Sequence, residues 1–225
     1  MALAALGATL AFAPDLASAA EGSTRPEMAA CGPIPAVDTV EGHIDYRLRN
    51  SSPVVKKGVH DLETFHMRPA LQLFHEGSLF RSIRSDIDFT LRHSPNHHVA
   101  LQTLIQYEKA GGKDYELPSM DCYLEWATEF TPDDITVWLI GGYYFWNKKD
   151  LDKAEKWYLQ AAEIDPESAD AHYNLGLLYC ERRDYKRALT HAQVAYATGY
   201  PLRGLREKLK RAGQWQDPPP APASP

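Results

Sequence analysis

The sequence repeats itself at an interval of 34 residues. The pairs that this shift brings together are Trp138 with His172, Gly142 with Gly176, Phe145 with Tyr179, Asp150 with Asp184, Ala154 with Ala188 and Ala161 with Ala195. Small residues fall on small residues, as the packing of repeated units requires. Because one unit of such a repeat cannot bury its own hydrophobic face, a period of this length predicts a stack of similar units.

Both copies follow the same pattern of aromatic and small residues. Residues 172–179 (HYNLGLLY) match W-x2-L-G-x2-Y in all but the first position. Residues 138–145 (WLIGGYYF) keep the aromatic ends and Gly142, with Gly141 where leucine is usual. The chain thus resembles the tetratricopeptide repeat (TPR) proteins, of a bacterial exported type. The resemblance implies antiparallel helix pairs that stack into an all-α solenoid.

The glycines inside the first helices need a packing reason, because a glycine in a helix interior costs about 1 kcal/mol relative to alanine. Helix pairs approach closely where one side carries little volume. Gly142 and Gly176 are therefore expected to lie against Ala154 and Ala188 of the returning helices.

Two further units precede this pair. The apolar-periodic segments DIDFTLRHSP and CYLEWATEFTP each stop at a proline, Pro95 and Pro132, as second helices of repeats should. The prolines stand 37 residues apart, and the segment Ala110–Pro118 is expected to form a loop that absorbs the excess over 34. Asp150 and Asp184 are placed to cap the second helices of the two clearest repeats.

The predicted fold is an all-α, TPR-like solenoid of helical hairpins with about four repeats and a C-terminal capping helix. Its first helix is expected at MRPALQLFHEG and its capping helix at PLRGLREKLKRAG. The predicted segments are a signal peptide at 1–19, an extended N-terminal arm at 20–58, the helical repeat domain at 59–213 and a proline-rich disordered tail at 214–225.

The N-terminal segment predicts export to a bacterial periplasm or to the outside. An apolar run over 2–13 is followed by Ala-Ser-Ala, the small-residue spacing that a signal peptidase accepts. No Lys or Arg precedes Arg25. Either the true start codon lies upstream, or the segment is not a signal and the protein is cytoplasmic. After export one disulfide is possible, and the sequence does not choose the pair among Cys31, Cys122 and Cys180.

Function is expected on the concave face of the solenoid, which the first helices of the repeats line. An apolar and aromatic groove with one polar amide is predicted there, made of Leu139, Tyr143, Trp146, Tyr173, Asn174 and Leu177. Tyrosine and tryptophan are frequent anchors for bound peptides. The predicted partner is a protein, bound through a peptide or a helix. The competing interpretation is that these side chains are buried under the arm or by neighbouring helices.

Other functions find less support in the sequence. A net charge of −6 and a pI near 5.8 give no basic surface for nucleic acid, and no apolar run is long enough for an integral membrane span. No catalytic motif or cofactor-binding motif is present, so neither an enzyme nor a cofactor is predicted. The alternative is a metal-handling periplasmic protein, because six histidines fall within 39 residues: His60, His66, His75, His93, His97 and His98. Their spacing matches no known metal site.

Overall fold

The computed structural model describes residues 31–38, 42–113, 116–197 and 199–216, and its regular structure there is helical. The predicted signal peptide at 1–19 lies outside these residues, as does the tail from 217. The α-helices are α1 (Pro53–Leu62), α2 (Arg68–His75), α3 (Arg81–His93), α4 (His98–Lys109), α5 (Met120–Phe130), α6 (Ile135–Asn147), α7 (Leu151–Ile164), α8 (Ala169–Glu181), α9 (Tyr185–Ala197) and α10 (Gly204–Arg211). A π-helical turn (Glu63–Met67) joins α1 to α2, and a short 3-10 helix (Tyr46–Leu48) precedes them.

Within the described residues the helices form four hairpins and a cap. The segment α1–α2 pairs with α3, α4 with α5, α6 with α7, and α8 with α9, while α10 packs on the last hairpin. The large side chains between the helices, among them Tyr123, Trp157 and Tyr158, are almost completely buried. The predicted all-α, TPR-like solenoid with a C-terminal capping helix is confirmed.

The turns inside the last two hairpins are alike at the level of single residues. Asp150 accepts a hydrogen bond from the backbone N–H of Lys153, and Asp184 accepts one from that of Arg187, so both aspartates cap second helices as predicted. The residue before each aspartate, Lys149 or Arg183, has a φ angle near +60°. The 34-residue period therefore holds for the backbone as well as for the side chains.

The first hairpin begins earlier than the sequence suggested. Helix α1 starts at Pro53, inside the segment predicted to be an extended arm, and Ser52 caps it by accepting from the N–H of Val55. It continues through the π-helical turn into α2. Pro69 lies in the first turn of α2 and has no N–H to donate to the carbonyl four residues earlier. The π-helical turn lies immediately before this proline. The first helix of this unit is thus longer than MRPALQLFHEG.

The glycines are packed tightly; the predicted contact of Gly176 with Ala188 is present, whereas Gly142 packs most closely on a residue other than Ala154. A Cβ added at Gly142 would lie 2.3 Å from the ring of Tyr158 on α7, one turn beyond Ala154. A Cβ at Gly176 would lie 2.4 Å from a methyl group of Leu205 on the capping helix and 3.4 Å from the carbonyl oxygen of Ala188 on α9. Large side chains thus lie closest to both glycines, and at Gly176 the backbone of the returning helix also approaches.

The arm before α1 is fastened to the solenoid. Cys31 forms a disulfide with Cys122 on α5, and the indole N–H of Trp126 donates to the carbonyl of Gly32 (3.1 Å). Further along, the backbone N–H of Ile44 donates to the carbonyl of His93 at the end of α3 (2.8 Å), and the hydroxyl of Ser94 donates to the carbonyl of Ile44 (2.8 Å). The described part of the arm therefore runs along α5 and the turns between hairpins.

A polar network secures the same arm at the α5–α6 turn. The side-chain amide of Asn96 donates to the carboxylates of Asp45 (2.7 Å) and Asp134 (2.9 Å). Asp134 is buried and also contacts His98 (2.8 Å). Buried polar groups are stable only when their partners are in place, so this network fixes the path of the arm.

Candidate functional site: the concave groove

The first helices of the four hairpins line a groove of about 610 Å³, which we call the concave groove. Its apolar lining comes from α2, α4 and α6 and consists of Leu71, Phe74, Val99, Leu139, Ile140 and Tyr143. Three side-chain amides, those of Gln102, Gln106 and Asn174, lie among these residues. No residue of the described part of the arm lines the groove, so the arm does not fill it there.

Three of the six predicted site residues lie in the concave groove: Leu139, Tyr143 and Asn174. Tyr143 is 42% exposed, and its hydroxyl accepts a hydrogen bond from the ammonium group of Lys109 (3.3 Å). The amide of Gln106, and then Lys109, lower the pKa of the Tyr143 hydroxyl from its ordinary value. The aromatic ring of Tyr143 is thus solvent-exposed, and polar neighbours fix the position of its hydroxyl. The role of these three residues in binding stays a prediction.

The other three predicted residues do not line the groove. Tyr173 is only 8% exposed, with its ring centroid 4.8 Å from that of Tyr200 and its hydroxyl against Gly204. Trp146 and Leu177 are half-buried and pack on the core. The prediction failed for Tyr173 because α8 belongs to the last hairpin, where the capping segment covers a position that a further repeat would leave open.

The prediction missed the groove residues of α2 and α4. Leu139 and Tyr143 have Gln102 and Gln106 as their equivalents in the preceding repeat, 37 residues upstream. This offset equals the distance between Pro95 and the proline that follows α5, so the signal was present in the sequence. The contribution of α2 had no such signal, because the first repeat departs from the pattern.

The ends of the concave groove carry its only ionisable lining groups among the described residues, apart from the Tyr143 phenol. His75 lies at one end and Asp170 at the other. The Asp170 carboxylate accepts a hydrogen bond from the hydroxyl of Tyr200 (2.5 Å), and burial together with this carboxylate raises the pKa of Tyr200. No Lys or Arg of the described chain lines the groove, so a carboxylate-terminated partner finds no cationic clamp there.

The histidines are dispersed rather than gathered. His66 contacts Asp86 (2.9 Å) and His98 contacts Asp134 (2.8 Å). His97 is buried at the N-terminus of α4, where its Nδ1 accepts from the N–H of Ala100. Burial lowers the pKa of His97 to about 4. In the described part of the chain, no group of three or more His, Cys, Asp or Glu residues is placed to hold a metal ion.

A second pair of histidines joins the helices of the last hairpin. The Nδ1 atoms of His172 and His191 lie 2.9 Å apart, and the other ring nitrogen of His172 contacts the carbonyl of Pro166. Burial, followed by the proximity of His172 and Arg187, lowers the pKa of His191 to about 4. These histidines contribute to packing between α8 and α9.

Comparison with known proteins bears on the central hairpins. A family model of the TPR repeat matches residues 142–181, from the middle of α6 to the end of α8. This segment is similar to a tetratricopeptide repeat. A search of curated proteins gave no match. TPR repeats generally mediate protein–protein interaction and are typically non-catalytic scaffolds. No helix among the described residues is long and apolar enough to cross a membrane.

Proposed function

We propose that this TPR protein is an exported interaction module whose concave groove holds a peptide or a partner helix. The observation that carries the proposal is the open, largely apolar groove of about 610 Å³ on the first helices, with the exposed ring of Tyr143 in its lining. Solenoids of this kind use their concave surfaces for binding.

The chemistry of the groove favours a partner segment with apolar side chains and no strong charge. Its apolar lining can take up aliphatic or aromatic side chains, and burying such a side chain contributes about 1.5 to 3 kcal/mol. Asn174 uses its N–H to bind the carbonyl of Asp170 (2.9 Å). Its side-chain oxygen has no hydrogen-bond partner among the described residues and can accept from a bound backbone. The amides of Gln102 and Gln106 supply both donors and acceptors.

The disulfide supports a location outside the cytoplasm. Disulfides persist in oxidising compartments such as the bacterial periplasm and are rare in the cytosol. The Cys31–Cys122 bond closes a separation of 91 residues and leaves Cys180 as a free thiol. Together with the apolar N-terminal segment, this pairing favours a periplasmic or secreted protein.

The location is tested by labelling thiols in a bacterial host that expresses the full chain. Protein recovered from the periplasmic fraction is denatured without reductant and treated with a maleimide that shifts its mobility on a gel. The expected result is a single shift from Cys180. Recovery in the cytoplasm with three labelled thiols would contradict export.

The groove is tested with peptides selected from a displayed library on the purified protein. The dissociation constant of each selected peptide is then measured for the wild type, Tyr143→Ala and Leu159→Ala. Leu159 on α7 is a matched control, because it is 43% exposed and lies outside the groove. Tyr143→Ala is expected to weaken binding about tenfold or more, which is roughly 1.4 kcal/mol. The assignment of the groove as the binding site would be refuted if the peptides bound Tyr143→Ala as tightly as the wild type. It would also be refuted if Leu159→Ala weakened binding as much as Tyr143→Ala does.

A further inference from the structure

A second pocket, of about 410 Å³, lies apart from the concave groove and shares no lining residue with it. It is bounded by α3, by the C-terminal ends of α4 and α6, and by the loop that leads into α5. Its charged lining residues are Arg84, Glu108, Lys113 and Lys148. We call it the cationic pocket.

Arg84 is the most constrained of these groups. The residue is 2% exposed, and its guanidinium donates to the hydroxyl of Tyr123 (3.1 Å) and to the carbonyl of Pro118. Both acceptors are uncharged. A guanidinium carries five N–H donors, so three remain without an acceptor among the described residues. Arg84 forms no ion pair with any carboxylate in the described part of the chain, although a buried charge is costly unless it is compensated.

The carboxylate of Asp88 compensates the charge of Arg84 only indirectly. The Tyr123 hydroxyl that accepts from Arg84 donates in turn to Asp88 (2.5 Å). Asp88 already accepts from the guanidinium of Arg92 (2.9 Å). Two guanidinium groups therefore share one carboxylate, which leaves a surplus of positive charge on the side of the pocket.

The rest of the lining adds to this surplus. Neither Lys113 nor Lys148 forms an ion pair within the described residues, and the ammonium group of Lys148 lies 5.5 Å from the centroid of the Tyr144 ring. The one lining carboxyl is that of Glu108. Burial raises its pKa, although Lys148 and Arg84 act in the opposite direction. The pocket is thus built from three cations and one weakened acid.

We propose that the cationic pocket binds a small oxyanion, a carboxylate or a phosphate, through Arg84, Lys113 and Lys148. The planar guanidinium fork of Arg84 matches the two oxygens of such a group, and the two ammonium groups neutralise its charge. Ser119, the N-cap residue of α5, lines the same pocket, and its hydroxyl can add a hydrogen bond to the anion. The bound anion supplies the direct counter-charge that the described protein does not give Arg84. This proposal is independent of what the concave groove binds.

The test is isothermal titration of the purified chain with inorganic phosphate and, separately, with succinate, in a buffer free of other oxyanions and at low salt. One site per chain is expected for at least one probe, and the probe that binds identifies the oxyanion. Lys148→Gln is expected to weaken binding about fivefold, and Lys113→Gln by a similar factor. Lys156→Gln on α7 serves as the control, because it removes the same charge from an exposed position outside the pocket.

Arg84→Gln is expected to abolish binding, and circular dichroism shows whether this variant still folds. Because Arg84 is buried, the conclusion rests on the lysine variants, which change exposed positions of the lining. Absence of binding by both probes to the wild type would overturn the proposal. Equal losses in Lys148→Gln and Lys156→Gln would overturn it too, since they would show attraction to the general charge of the surface.

Discussion

Replacing Gly142 by alanine should destabilise the chain even though alanine is the better helix former. A Cβ at this position would lie 2.3, 2.4 and 2.8 Å from three ring atoms of Tyr158, whereas ordinary contacts fall at 3.4–4 Å. The ring would have to retreat by roughly an ångström, and Tyr158 is only 1% exposed. Overpacking of a core typically costs about 1 to 3 kcal/mol. Helix propensity returns about 1 kcal/mol. Because the Tyr158 ring is rigid and buried, the cost should lie in the upper part of this range, about 2 to 3 kcal/mol, and the net loss of stability should be roughly 1 to 2 kcal/mol.

Gly176→Ala is the matched comparison, because the same substitution is made at the equivalent position one repeat later. Its Cβ would lie 2.4 Å from a methyl group of Leu205, with the next contact, to the other methyl group, at 3.2 Å. A leucine methyl at the end of a branched side chain moves more easily than a buried ring. The higher helix propensity of alanine should therefore offset most of the strain. The free energy of unfolding is expected to change by no more than about 0.5 kcal/mol in either direction.

The assay is urea unfolding of both variants and the wild type, followed by tryptophan fluorescence and far-UV circular dichroism on the same samples. Two probes are needed because repeat arrays can unfold in parts. The midpoint should fall for Gly142→Ala and stay nearly unchanged for Gly176→Ala. A Gly142→Ala protein as stable as the wild type would refute the reasoning that a rigid ring fills the space next to this glycine.

Two further predictions concern the arm and the buried histidines. Replacing Cys31 and Cys122 by serine should lower the free energy of unfolding by about 2 to 4 kcal/mol, because the bond closes a separation of 91 residues; urea titration against a Cys180→Ser control measures it, and equal midpoints would contradict the prediction. His97 and His191 have pKa values lowered to about 4, so they stabilise the fold fully above the unfolded value near 6.5, and the contribution is lost as the pH falls from 6.5 towards 4. Each contributes up to about 3 kcal/mol at neutral pH. His191→Gln should flatten this part of the pH profile of stability, and an unchanged slope would count against it.

The interior of the array was predictable because its determinants are local and periodic. The period of 34 residues placed the α6–α7 and α8–α9 hairpins and the capping aspartates Asp150 and Asp184. The same logic extends to the concave groove. An offset of 37 residues carries Leu139 and Tyr143 onto Gln102 and Gln106, which the structure places beside them. Equivalent positions on neighbouring first helices line the same surface, whether the residues there are apolar or polar.

Contacts between distant segments were not predictable in this way. The hydrogen bond between Trp126 and Gly32 joins residues 94 positions apart, and the Cys31–Cys122 bond spans 91. Three cysteines allow several pairings, and nothing periodic distinguishes them. The large side chains that pack on the glycines, Tyr158 and Leu205, were missed for a related reason. A small residue predicts close packing, but not which large side chain fills the space that it leaves.

Two of the errors lie at the ends of the array, and that location has a physical cause. A repeat inside the array is covered on both sides by copies of itself, so its surface follows from the period. The last repeat is covered instead by a segment of different sequence, and Tyr173 is buried under Tyr200 and Gly204 for that reason. At the other end, the first helix begins at Pro53, and Ile44 of the arm packs against the middle of this helix, beside Gly58. The surface left open to a partner is therefore centred on α4 and α6, the first helices with a repeat on each side.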